Sequence, residues 1–284
     1  VVCYTVKPII YGSIAAKLAG IKNIYSIITG LGYSFYNNTK KQRIIGFLVK
    51  KMYQKSLSFN KKIFFQNNDD INYFLSNGII NNKNNIVKIN GSGVDLDFFY
   101  KSKPKIKPIK FLIIARLLKE KGITNFIEAA IDLKKQYPKT LFQIIGWEDS
   151  GPSSININHI NSLHNKKIIE FYGYQKDVRK FIEDSSVFVL PSFRERTPRT
   201  SLEAMSMCKP IITCDSPGCR ETVIENYNGF LIPVNDTRKL IEAMKKFILK
   251  PSIINIMGDK SRLLVEEKFD VKKVNKIIIN ELGI

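Results

Sequence analysis

FLIIARLLKEKGITNFIEAAIDLKKQYPKTLFQII, residues 111–145, is the stretch on which the fold turns. Phe111 to Ala115 is an unbroken apolar run, the pattern of a parallel strand buried on both faces. From Ile123 to Tyr137, the residues Phe126, Ile127, Ala130, Ile131 and Leu133 recur at helical spacing. Pro138 ends that helix, because its ring nitrogen has no hydrogen to donate. Leu141 to Ile145 repeats the buried-strand pattern. The alternation continues with a strand over Ile168–Tyr172, a helix over Asp177–Asp184 and a strand over Val187–Leu190. A helix over Pro198–Met207 and a strand over Pro210–Cys214 follow. This order predicts a doubly wound α/β domain, in which ligands bind beyond the carboxyl ends of the strands.

Downstream, the pattern predicts helices over Asp236–Leu249, Ser252–Lys268 and Val271–Leu282. Upstream, Lys101 to Pro108 is charged and carries two prolines, which break helix and strand alike, so a linker is expected there. Before it, Ile9–Leu18 reads as helix and Lys40–Leu57 as a basic amphipathic helix. Asn23–Ile28, Ile63–Gln66 and Ile86–Ile89 read as strands.

With 284 residues and 44% hydrophobic content, the chain can bury a sizeable core. No apolar run approaches the ~18 residues of a membrane-spanning helix. Val1 opens the chain on a strand-like pattern without a charged leader, and a fragment of something longer is the expectation. Cys3, Cys208, Cys214 and Cys219 form no CxxC pair and have no histidine at zinc spacing, so reduced thiols are expected. His159 and His164 fall in a polar Asn/Ser stretch and read as surface-loop residues.

The net charge is +20 and unevenly spread. Residues 1–107 carry 17 Lys/Arg against 4 Asp/Glu, whereas residues 108–284 carry 28 against 21. The excess gathers at Lys40, Lys41, Arg43, Lys50, Lys51, Lys55, Lys61 and Lys62. Such a surface suits nucleic acid, anionic lipid or phosphorylated substrates, or is a solvated face of a lysine-rich composition. No nucleic-acid motif accompanies it, and no nucleic-acid partner is expected. An anionic membrane surface is expected, with Ile44, Ile45, Phe47, Leu48 and Met52 placed for shallow insertion.

Three groups of residues follow strands of the second part. Arg116 and Lys121 lie just past the first strand, where two cations can neutralise charge on a departing oxyanion. Glu195 and Glu203 flank Thr197, Pro198, Arg199 and Thr200; there Thr197 can cap a helix whose first residue is Pro198. A helix start presents free N–H groups and a positive dipole end to phosphate, and carboxylates can hold sugar or ribose hydroxyls. Asp215–Glu221 and Asn226–Pro233 read as a strand-end turn and a tight turn entering a strand.

Together and in this order, the motifs resemble the retaining glycosyltransferases of the GT-B fold, family 4. The resemblance runs from Gly91-Ser92-Gly93-Val94-Asp95 through Ala115–Gly122, Tyr172-Gly173-Tyr174 and Pro191–Pro210. Tyr4–Gly12 and Thr29-Gly30-Leu31-Gly32-Tyr33 are similar to bacterial enzymes that extend undecaprenyl-diphosphate-linked acceptors with N-acetylhexosamine or a related sugar. The resemblance implies two Rossmann-like domains facing a cleft, the first incomplete. The expected division is an acceptor-side domain over residues 1–103 and a donor domain over 104–265. Residues 266–284 are expected to form a C-terminal helix packing back toward the first domain.

By residue, the resemblance assigns Arg116 and Lys121 to the donor diphosphate, Glu195 to the donor sugar and Glu203 to the ribose. It assigns the backbone near Tyr174 to the base, and Thr197, Arg199 and Thr200 to the phosphate-binding turn. Lys7, Tyr11 and Gly30 are expected on the acceptor side. The implied reaction moves an N-acetylhexosamine or related hexose from a UDP-sugar to a polyprenyl-diphosphate-linked saccharide, with retention, in cell-surface or glycoprotein glycan assembly. No metal and no cofactor beyond the UDP-sugar substrate is implied. The place implied is cytoplasmic, peripheral on the inner face of the plasma membrane.

The chain departs from the family in three ways. The family's usual glycine-rich opening loop has no counterpart, so weak transfer by this chain alone is expected. Arg196 and Cys208 stand where most members carry glycine. A side chain at a helix end that needs positive φ costs about 1 kcal/mol. A non-catalytic remnant that binds nucleotide or membrane is the alternative expectation.

Overall fold

The computed structural model describes residues 1–30 and 40–284, with side chains from Arg43 onward in the second stretch. Leu31, Gly32 and Tyr33 of the Thr29–Tyr33 segment fall outside the described residues, as do the side chains of Lys40 and Lys41. The chain forms two compact units, residues 1–92 with 273–284, and residues 93–272.

In the first unit β1 (Val2–Tyr4), β2 (Tyr25–Ile28), β3 (Lys62–Phe65) and β4 (Ile86–Lys88) form a parallel sheet in sequence order. The helix expected over Ile9–Leu18 is a π-helical turn, Pro8–Gly12, running into α1 (Ser13–Leu18). The basic helix α2 (Lys40–Leu57) has its expected bounds. A helix the sequence pattern did not disclose, α3 (Asn68–Ser76), starts where the Asn67 side chain accepts the Asp70 N–H at 2.8 Å. Its Phe74 is fully buried, edge-to-face with Tyr53 and Phe65. The C-terminal helix Val271–Leu282 packs here through Ile278 and Leu282. The Tyr25 hydroxyl donates to the Leu282 carbonyl at 2.8 Å, and Lys62 pairs with Glu281 at 3.0 Å.

The second unit holds a six-stranded sheet of β5 (Lys110–Ile114), β6 (Leu141–Ile145), β7 (Glu170–Phe171), β8 (Val187–Leu190), β9 (Ile211–Cys214) and β10 (Gly229–Ile232). All its described ladders are parallel, in the order β10-β9-β8-β5-β6-β7. Phe111, Leu112, Ile113, Ile144, Val187, Phe188, Val189, Ile211 and Ile212 are fully buried, which is why these strands read as continuous apolar runs. The helices are α4 (Ile123–Gln136), α5 (Ile157–Asn165), α6 (Arg179–Asp184), α7 (Arg199–Ser206), α8 (Thr237–Leu249) and α9 (Ser252–Lys268). Between β5 and β8 the chain reverses its direction of travel across the sheet. That is the switch point at which such sheets open a crevice.

Several expectations are corrected. The unit boundary falls at 92/93, because Val94 exchanges backbone hydrogen bonds with Phe269 and Val271 at 2.8 and 3.1 Å. The Lys101–Pro108 segment runs along the second unit, held by Ser102 on the Met207 carbonyl at 3.2 Å and by Lys105 on Asp184 at 2.5 Å. The second unit reaches to residue 272, where the sequence reading ended the corresponding domain at 265. His159 and His164 lie on α5, not in a loop, because burial of Ile160 and Leu163 outweighs the poor helix propensity of the Asn/Ser stretch. His164 accepts the Phe171 N–H at 3.1 Å.

Candidate active site at the exits of β5 and β8

The loops after β5 and β8 are joined closely. Gly122, at φ 73°, begins α4, and a β-carbon on it would stand 2.2 Å from the Pro191 carbonyl oxygen. Only glycine allows that approach. Glu120 accepts from the Phe193 N–H at 2.9 Å and from the Ser192 hydroxyl at 3.1 Å. The loop after β9 supports the same region from behind: Glu195 N–H donates to the Pro217 carbonyl at 2.9 Å. A β-carbon on Gly218, at φ 77°, would meet the carbonyl oxygens of both Glu195 and Arg196 at 2.2 Å.

This scaffold brings Arg116, Lys121, Glu195, Arg199 and Thr200 around one cleft of about 200 Å³, floored by Ala115 and Pro198. Lys121 is ion-paired with Glu195, both side chains largely buried. Arg116 is ion-paired with Asp149 at 2.7 Å, and that contact, with the Gly151 N–H, holds the Asp149 carboxyl below its usual range. Arg199, at the first turn of α7, donates to Glu203 at 3.1 Å. Glu203 lies one turn deeper, and burial, only partly offset by Arg199, pushes its carboxyl up to about 7. A larger groove of about 720 Å³ lies at the amino end of the same sheet, by Ile109 and Tyr137. Its walls are mainly apolar and no group of opposed charges converges there, so the small charged cleft is the chemical candidate.

α7 starts one residue later than the sequence pattern predicts. Pro198 is the N-cap, with ψ of 114° and its carbonyl accepting from Ser201 and Leu202 at 3.1 and 3.2 Å. Helical geometry begins only after the proline, so α7 starts at Arg199 and Thr197 is buried in the loop before it. Arg196 is exposed beside it. Cys208, just past the C-cap Met207, is buried at φ 58°, the conformation for which glycine is suited. Tyr174 is exposed past β7, away from the cleft lining. In the first unit Lys7 and Tyr11 are exposed on the π-helical turn and its approach, and Gly30 has φ 106°. Trp147 and Asp149 were missed by the sequence reading, although both follow β6 directly, where strand ends are worth searching.

A family model described as glycosyl transferases group 1 matches residues 97–263. The chain belongs to the glycosyl transferases group 1 family. One relative in this family, from Campylobacter jejuni, is the N,N'-diacetylbacillosaminyl-diphospho-undecaprenol alpha-1,3-N-acetylgalactosaminyltransferase. It is 28% identical over 246 residues, which are 82% of this chain and 63% of the relative. The chain thus spans under two thirds of that protein. The UDP-Gal:alpha-D-GlcNAc-diphosphoundecaprenol alpha-1,3-galactosyltransferase of Escherichia coli is 27% identical over 94% of this chain and 71% of its own length. Among solved structures, Anabaena HepE in complex with UDP superposes with a TM-score of 0.82 at 18% identity, over 99% of this chain and 78% of that one. TarM superposes at 0.77 with 18% identity, over 100% and 54%. The fold of this group 1 glycosyltransferase is GT-B, with a Rossmann-like sheet in each unit.

Proposed function

We propose that the chain carries the donor site of a retaining glycosyltransferase that takes a UDP-hexose or UDP-N-acetylhexosamine and extends a polyprenyl-diphosphate-linked saccharide. The observation that supports it is the meeting of Arg116, Lys121, Glu195 and the start of α7 at the switch point between β5 and β8. In this reading Arg116, Lys121 and the first N–H groups of α7 face the diphosphate, Glu195 faces the sugar and Glu203 holds the ribose. As the sugar's anomeric carbon–oxygen bond breaks, its electron pair leaves with UDP. The two cations and the helix start stabilise that charge more in the transition state than before it. The acceptor hydroxyl forms the new bond from the same face and passes its proton to the departing phosphate oxygen. Side chains and backbone supply the neutralising charge, so the reading calls for no metal.

Both cations are already engaged by carboxylates, Arg116 by Asp149 and Lys121 by Glu195. A diphosphate with two negative charges is a stronger partner for an exposed arginine than one aspartate. Titration calorimetry with UDP tests the site. Arg116→Ala is expected to weaken UDP by about 1.5–3 kcal/mol, the range for a hydrogen bond to a charged group. Equal affinity in the variant and the wild-type chain would remove the assignment.

The acceptor in this reading is a lipid, and the protein meets it peripherally on the inner, anionic membrane face. The basic helix α2 supports this: no acidic residue occurs in it, and among the described residues no helix is long and apolar enough to cross a membrane.

A further inference from the structure

Asp149 stands on the loop after β6, and that loop is bonded to the Arg116 loop along its length. The Leu117 N–H donates to the Trp147 carbonyl at 3.0 Å, the Ile155 N–H to the Leu117 carbonyl at 2.8 Å and the Lys119 N–H to the Ser153 carbonyl at 3.0 Å. A β-carbon on Gly146, where the loop leaves β6, would stand 1.9 Å from the Ala115 carbonyl oxygen, so the two strand exits touch directly. The backbone of Asp149 is thereby fixed relative to that of Arg116.

The Asp149 carboxylate divides its two oxygens between two partners. Oδ1 accepts the Gly151 N–H at 3.0 Å, within its own loop, and Oδ2 accepts from Arg116 Nη1 at 2.7 Å. The bond to Gly151 does not depend on the guanidinium, so the carboxylate keeps its place when the arginine moves. Arg116 is the more exposed partner, its side chain 47% accessible against 23% for Asp149. To meet a diphosphate in the cleft, Arg116 either leaves Asp149 or shares its five N–H groups between the two. In both cases the phosphate receives less than the full effect of that charge. We infer that Asp149 is a built-in competitor for Arg116, holding the guanidinium at the cleft when nucleotide is absent and lowering the affinity for the donor diphosphate and for the UDP that leaves. This rests on the UDP-sugar reading of the cleft. A nucleotide bound equally tightly before and after transfer gains nothing in rate, so a carboxylate that weakens uniform binding favours turnover. Asp149 acts through Arg116 and is a positioning residue.

Asp149→Asn keeps an oxygen for the Gly151 N–H and removes the charge. By titration calorimetry at low salt, the variant is expected to bind UDP and inorganic pyrophosphate about threefold to fivefold more tightly than wild type, the upper range for a half-exposed ion pair. A loop that had merely been loosened would bind them more weakly. In an Arg116→Gln background the same substitution is expected to change UDP affinity by less than about 1.5-fold, because the competition has lost its object. If wild-type chain binds UDP and Asp149→Asn binds it equally or more weakly, the inference is overturned and the donor-site reading stands. A gain that persists undiminished in the Arg116→Gln background also overturns it, since Asp149 would then repel the phosphates directly. If wild type and Asp149→Asn bind neither UDP nor pyrophosphate, the donor-site reading falls and the inference falls with it.

Discussion

In the proposed donor site, Glu203 is the residue at which folding and binding pull in opposite directions. Burial under the first turns of α7 disfavours its charge and raises it to about 7, from the 4.5 of an exposed glutamate. A ribose hydroxyl, in contrast, is best held by the ionised form. The sign of the stability effect follows from proton counting. Between pH 4.5 and 7 the unfolded chain has lost this proton and the folded chain retains it, so stability falls as pH rises through that window. Above about 7 the loss is complete and constant. Glu203→Gln removes the titration and is expected to gain, relative to wild type, on the order of 3 kcal/mol between pH 4.5 and 7.5. Denaturant unfolding at several pH values measures this, and parallel curves would show that the carboxyl is not buried in solution. UDP affinity of the wild type is expected to rise with pH through 7 and to be flatter in the variant. Arg116 and Lys121 stood out by type and place after a strand, the family resemblance assigned them to a diphosphate, and the structure puts both on the cleft. The start of α7 was expected at Pro198 and falls at Arg199, because Pro198, with ψ of 114°, is still extended and serves as the N-cap.

Among the elements, α2 is the one whose two sides disagree with a simple amphipathic pattern. Gly46, Tyr53 and Leu57 face the core and are buried. Ile44, Phe47 and Leu48, at i, i+3 and i+4, are 64%, 60% and 55% exposed, and Lys51 and Lys55 continue the same face. Met52, expected to insert with them, instead packs on the core of the first unit, and Ile45 lies on the flank. An apolar tip followed by lysines suits a bilayer interface, where each lysine near an anionic surface contributes about 1 kcal/mol and salt screens it. Sedimentation with anionic vesicles at low salt should carry the protein down, and neutral vesicles should carry much less. Phe47→Ser with Leu48→Ser should abolish whatever binding persists at high salt. A protein that stays in the supernatant with anionic vesicles at low salt would remove the membrane reading. At this scale the buried strands and α4, α8 and α9 were legible from periodicity. The helices α3 and α5 were not, since asparagine-rich segments have weak propensity and are held by a few buried apolar side chains.

For the whole molecule, the division into two units has a calorimetric consequence. Each unit has its own buried core, one built around β5, β6, β8 and β9, the other around β2, β3 and their helices. Two unfolding transitions are therefore expected on heating. UDP at a hundred times its dissociation constant should stabilise only the unit of residues 93–272, by about 2.7 kcal/mol. A UDP-induced shift confined to the other transition would place the nucleotide in the wrong unit. The uneven charge belongs to this scale too, since the half with +13 of the +20 contains α2 while the proposed donor cleft lies in the less basic half.

By itself the sequence determined the α/β class, the parallel strands of the second unit and the family, because periodicity and motif order are local and survive without coordinates. It also determined that Arg116, Lys121 and Glu195 follow strands. Only the tertiary structure decided that β5 and β8 are neighbours, which brings residues 116 and 195 to one cleft although they are far apart in the chain. It alone decided that Asp149 engages Arg116, that Glu203 is buried enough to hold its proton near neutrality, and that Trp147 stands in water beside Tyr174. Strand order and desolvation arise from contacts between distant segments, and no single stretch of residues carries them.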